Sequence, residues 1–196
     1  MKLMLERITT AGSNLIMSNL DVWDKVKETD PKYTKPAKIG GMTITAIAPQ
    51  YQIMLATEQF GPYGKGFGFK SIELDYSLIE QFNLVVFKGV FFHPGGEFEI
   101  INSSKMFMDR AQKMVDADFA KKIETDALTK ALSKLGFNAD VFMGRFDDTK
   151  YVLEMQAKHR EPTKDDLSWA KAINDGNAKL EDLNDLQYRN YIKSLL

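Results

Sequence analysis

Apolar and polar positions change period several times along this chain, and each change predicts an element. Between Asp116 and Leu135, the residues Phe119, Ile123, Ala127, Leu128, Ala131, Leu132 and Leu135 recur at three- and four-residue spacing. That period predicts one long amphipathic helix, ended by Gly136 as a left-handed cap. Lys122, Asp126, Thr129 and Ser133 fall on its polar face, with Lys121, Lys130 and Lys134 along the borders. Before it, Ile72, Leu74 and Tyr76 alternate with polar residues over Phe69–Leu78. A more continuously apolar strand follows over Phe82–Phe92, then the turn His93-Pro94-Gly95-Gly96 and a returning strand over Glu97–Ile101. Residues 102–115 read as a loop.

Nearer the start, Ser18 or Asn19 is placed to cap a helix running to about Glu28, burying Leu20, Trp23 and Val26. Lys35–Ile39 and Met42–Ala46 flank Gly40-Gly41, a hairpin signal. Pro49 suits a helix first turn, and Gly61 stops that helix after Phe60. Short helices are expected from Ala139 and over Thr149–Arg160. Beyond Pro162, two more small helices gather Leu167, Trp169, Ala172 and Ile173, then Leu180, Leu183, Leu186, Tyr188 and Ile192. The predicted class is α+β: an antiparallel β-meander packed on a long helix (β-β-β-α), with an N-terminal helix and hairpin and a C-terminal helical tail. The expected organisation is a flexible N-terminus (1–17), a core (18–160) and a tail (161–196). The tail reads as a helical hairpin packed on the core or as a docking element for a partner protein.

Composition narrows the chemistry. The 196 residues include no cysteine, which excludes disulfides, thiol nucleophiles and thiolate metal sites. The two histidines, His93 and His159, are far apart, and neither has metal-ligand company at helical spacing. His93 reads as an exposed residue of the hairpin turn. Formal net charge is −1. Residues 60–135 carry 10 basic and 10 acidic side chains, so no segment is strongly basic and a nucleic-acid site must be a local stripe of charge. Asp147-Asp148 reads as a helix cap and Asp126 as the partner of a helix ion pair with Lys122 or Lys130. The glycines of Gly61–Gly68 follow a helix and enter a strand, and no Ser or Thr follows Lys65, so this is no P-loop. It can instead bring backbone close to a nucleic acid, with Lys65 meeting phosphate and Tyr63 or Phe67 stacking on bases. Glu6 and Arg7 interrupt the first 17 residues, so no signal peptide is expected. No apolar run approaches the ~20 residues of a membrane span, and a cytoplasmic protein is expected. Nothing supplies a nucleophile, metal site or cofactor cradle, so neither an enzyme nor a cofactor is expected.

Two stretches, ATEQFGPYGKGFG (56–68) and TDALTKALSKLG (125–136), occur in order around the predicted meander. Over roughly residues 23–152 the chain resembles the Sak single-strand annealing proteins of bacteriophages, the phage branch of the Rad-fifty-two superfamily. The resemblance implies a β-β-β-α core repeated around an oligomeric ring whose groove holds single-stranded DNA, with ATP-independent annealing in phage or prophage recombination and repair. It carries a groove threonine onto Thr125 and basic groove positions onto Lys121 and Lys130. Two usually basic positions are Thr129 and Ser133 here, and an arginine before the EQFG word is replaced by Tyr51, which stays among the expected DNA-binding residues. An outer DNA contact pair falls on His93 and Arg110. Lys122, Lys134, Lys65 and Lys88 are the cations available to offset the losses. The implied partners are single-stranded DNA and further copies of the chain. The alternatives are a single-strand-binding protein that protects without annealing, and an oligomeric interaction or scaffold protein whose lysines only solvate the helix.

Overall fold

The computed structural model describes residues 20–109 and 111–196, and within them the fold is α+β. The predicted caps Ser18 and Asn19, the segment 1–17 and Arg110 lie outside the described residues. Helix α1 spans Asp21–Val26. Strands β1 (Thr34–Ile39) and β2 (Met42–Ile47) pair antiparallel as a separate two-stranded sheet, turning at Gly40 and Gly41, both at positive φ. Helix α2 spans Pro49–Phe60, with proline in its first turn and Gly61 at φ +90° after its end.

The meander follows. β3 (Gly68–Asp75), β4 (Leu84–His93) and β5 (Gly96–Lys105) form a three-stranded antiparallel sheet in sequence order. Period-two alternation sorts the faces of β4: Val85, Phe87 and Phe91 point inward and are fully buried, while Lys88 turns outward. Across the inner face lies α4 (Phe119–Lys134), whose buried residues are those of the predicted apolar stripe: Phe119, Ile123, Ala127, Leu128, Ala131 and Leu132. Gly136 ends it at φ +94°, and a Cβ there would sit 2.6 Å from the Trp23 ring, so glycine serves both the turn and the packing of α1.

Three boundaries differ from expectation. A helical turn, α3 (Ile79–Phe82), precedes β4; Asn83 closes it in the left-handed region and clamps the Phe107 backbone through both arms of its amide. β5 continues to Lys105, so the segment predicted as loop begins as strand, because β4 supplies pairing partners that far. The long helix starts at Phe119 rather than Asp116, because Asp116 spends its carboxylate on the Asp118 N–H and on Lys122.

α5 (Ala139–Phe142) and α6 (Thr149–Lys158) close the core, with Asp148 capping α6 as expected. Buried Asp140 accepts from the N–H and hydroxyl of Thr29, the Val141 N–H and the Tyr151 hydroxyl, which ties the end of α1 to α5 and α6. The C-terminal helices α7 (Lys164–Asn174) and α8 (Leu186–Lys193) pack on each other. Arg160 organises them: its guanidinium makes a two-armed pair with Asp166 at 2.8 and 3.1 Å and lies 4.0 Å from the Tyr191 ring centre. That guanidinium, helped by the Thr163 N–H, holds the Asp166 carboxyl well below the usual range. A depressed folded-state pKa stabilises above the unfolded value of about 3.9 and is lost as pH falls below it. Hydrogen exchange corrected for intrinsic pH effects is therefore expected to show residues 164–193 losing protection below about pH 4, before the meander does. Arg160→Ala is expected to produce the same loosening at neutral pH. Among the described residues no helix is long and apolar enough to cross a membrane.

Candidate functional site

The N-terminal half of α4 does not lie open on the surface. It faces strand β2 across a groove of about 940 Å³, and α5 with the turn Arg145–Asp147 closes one side. Lys121, Lys122, Thr125, Asp126 and Thr129 form the helix wall. The opposing wall is mostly apolar, with Met42, Ile44 and Ile47 beside Thr43 and Thr45 on the hairpin, Val141 and Phe142 on α5, and Phe146 after it. Met42 is 69% exposed and Phe142 53%, so these side chains meet solvent rather than core. Phosphates suit one wall, and the flat apolar faces of bases suit the other.

The electrostatics of the groove are finely balanced. Lys121 and Lys122 line it together with Asp126 and Asp147. Lys122 is bonded to Asp116 at 2.6 Å, whereas the Lys121 ammonium makes no ion pair or hydrogen bond among the described residues. Both lysines sit in the first turn of a 16-residue helix, where the backbone dipole adds positive potential. The hydroxyls are less available than the lysines: Thr125 donates to the Lys121 carbonyl at 2.8 Å, and Thr129 to the Gln52 side-chain oxygen at 2.9 Å. In that arrangement they accept from a ligand rather than donate to a phosphate.

The remaining predicted residues divide sharply. Asp126 makes no direct ion pair along the helix. Buried Asn102 on β5 intervenes, donating to Asp126 and accepting from Lys130, because β5 extends far enough to bring its amide beneath both. Lys130 is thereby drawn toward the sheet. Lys134 stands 5.7 Å over the Phe98 ring, at the other end of α4 from the groove. Lys88 is on the outer face of the sheet, paired with Asp75 at 3.0 Å and Glu73 at 3.6 Å, and belongs to no common site with α4. Lys65 is exposed in the glycine-rich loop. Tyr63, two residues earlier, is 46% exposed; its partial burial, then Glu124, raises its phenol pKa.

Three expectations are corrected. Tyr51 does not reach solvent: it stacks on Tyr33 at 4.2 Å and accepts from the Asp30 N–H, because α2 turns this face inward. Phe67 is fully buried against Phe60 and Phe91, so no base stacks on it. His93 is not an exposed turn residue but is half-buried among Phe60, Phe91 and Phe98, at 5.4 to 6.3 Å between ring centres. Its Nδ1 accepts from the Gly95 N–H, and burial lowers its pKa below the usual 6.5. The lowered pKa favours the neutral imidazole at pH 7, which brings no positive charge to a phosphate. His93→Gln is expected to leave the salt slope of oligonucleotide binding unchanged, as read by fluorescence anisotropy from low to moderate salt.

Sequence reasoning missed the groove's second wall. It also passed over Lys35 and Lys38, exposed on β1. Two lysines around Pro36 in a predicted hairpin were the available signal. The chain matches no protein-family model and no curated protein.

Proposed function

We propose that this chain binds single-stranded DNA along the groove between α4 and the β1–β2 hairpin and anneals complementary strands without ATP. The observation that carries the reading is the pairing of walls: lysines on one side, exposed apolar and aromatic side chains on the other. A single strand has that same division between its phosphates and its base faces. The order β3-β4-β5-α4 agrees with the core expected from the resemblance to Sak-type annealing proteins.

The mechanism is physical. Lys121 and Lys122 neutralise phosphates and release counterions. Bases resting against Met42, Ile44 and Phe142 are held apart from one another, so an incoming complementary strand can sample them. Pairing and stacking then drive the exchange at about 1.4 kcal/mol per step, with no need for nucleotide hydrolysis. One groove holds only a few nucleotides, so the reading includes a homo-oligomer, in ring form, that joins grooves into a continuous track. No covalent step is proposed.

A second reading has its own support. The groove's two lysines are matched by Asp126 and Asp147, and its apolar wall is unusually exposed, features that also suit a peptide segment of a partner protein. Mixing complementary labelled oligonucleotides with the protein in ATP-free buffer separates the readings. Accelerated duplex formation supports annealing; binding without acceleration leaves a protective single-strand binder; absence of both binding and acceleration favours the peptide-docking or scaffold reading.

A further inference from the structure

Behind the helix wall of the groove lies a second cavity of about 300 Å³, between α4 and α2. Lys121, Thr125 and Thr129, spaced four residues apart on α4, line both spaces and form the ridge between them. The cavity is apolar along Ile53, Leu128 and Leu132, and Tyr63 and Glu124 stand at its rim. Gln52 completes the lining. Its side chain is only 2% exposed; its oxygen accepts from Thr129, and its Nε2 has no hydrogen-bond partner among the described residues. A buried donor left unpaired is costly and calls for an explanation.

The lining chemistry selects the occupant. A phosphate drawn in by Lys121 would meet the Glu124 carboxylate, which makes no ion pair or hydrogen bond among the described residues, and the apolar Ile53, Leu128 and Leu132. An aliphatic group would leave the amide unanswered. A nucleobase answers every feature: flat apolar faces for Ile53, Leu128 and the Tyr63 ring, an N–H for Glu124, and a carbonyl oxygen or ring nitrogen for Gln52. The volume is at the small end of the ~300–1,000 Å³ of small-molecule sites, enough for one base.

Resting on the single-strand reading of the groove, we infer that each subunit turns one nucleobase of the bound strand over the Lys121–Thr125–Thr129 ridge into this cavity. The strand's backbone then follows the ridge. Single-stranded DNA has little stacking to lose on turning a base out. The Gln52 amide is covered in the free protein, so its engagement includes a side-chain rotation on entry. A base held this way fixes the register of the strand from one subunit to the next.

The test is photocrosslinking of an oligonucleotide carrying 5-iododeoxyuridine, with binding followed by anisotropy in the same samples. In the wild-type protein the crosslink is expected on Tyr63. It should fall about tenfold in Gln52→Leu, which removes the amide, and in Ile53→Phe, which fills the cavity, while affinity falls no more than about threefold. Each variant carries the test by itself if the other does not fold. Crosslinks confined to Phe142 and Phe146, or a Tyr63 crosslink indifferent to the variants, overturn the inference and leave the groove reading intact. Absence of any anisotropy change overturns the groove reading, and the inference falls with it.

Discussion

Gly66→Ala is expected to destabilise this protein by about 3 kcal/mol or more, lowering the melting temperature by roughly 6–12 °C. A Cβ at this position would overlap the Phe60 carbonyl oxygen and lie 2.5 Å from its carbonyl carbon and 2.9 Å from that of Gly61. Neither neighbour can yield cheaply. Phe60 closes the last turn of α2, and its ring packs against Phe67, Phe137 and His93. The loop is also closed on itself, with the Lys65 and Gly66 N–H groups both donating to the Pro62 carbonyl. Gly64, two residues earlier, gives the contrast. Nothing lies within 4 Å of a Cβ there, and only its φ of +82° resists substitution. Gly64→Ala is expected to cost about 1 kcal/mol. Thermal unfolding of the two variants side by side checks the assignment; equal shifts would mean that backbone conformation, not crowding behind α2, sets the glycines of this loop.

The second large effect concerns the groove. Lys121→Ala with Lys122→Ala is expected to weaken oligonucleotide binding by up to about a hundredfold, roughly tenfold from Lys121 and as much again from Lys122 once it exchanges Asp116 for a phosphate. The slope of log affinity against log salt should fall by about 1.4, since each phosphate contact to a single strand contributes about 0.7. Lys88→Ala is expected to change neither quantity, because that lysine stands on the outer face of the sheet, outside the groove that Lys121 and Lys122 line. Lys130→Ala should fall between the two, with its ammonium committed to Asn102. Equal losses for Lys88→Ala and the double variant would remove the groove from the binding surface.

Much of this architecture was legible along the chain, for a local reason. The stripe on α4, the hairpin at Gly40-Gly41, Pro49 opening α2 and the alternation of β4 are signals that neighbouring residues carry themselves. What failed to show was tertiary. Tyr51 read as a contact position because nothing in its surroundings along the chain announces that Tyr33 and Asp30 enclose it. Lys88 read as an available cation because its acidic partners come from β3 across the sheet register. His93 kept the exposure of a turn residue in the pattern, whereas three phenylalanines from α2, β4 and β5 gather around it. The groove itself was half visible: its lysine wall is a helix face, but its apolar wall depends on where a separate two-stranded sheet comes to rest.

The central claim is that the groove of α4 and the hairpin holds single-stranded DNA through its phosphates. It is tested most directly by the anisotropy of a labelled single-stranded oligonucleotide titrated with the unmodified protein at low and at moderate salt, without ATP. The expected result is saturable binding that weakens steeply as salt rises. Absence of binding at both salt concentrations, or binding indifferent to salt, would contradict it.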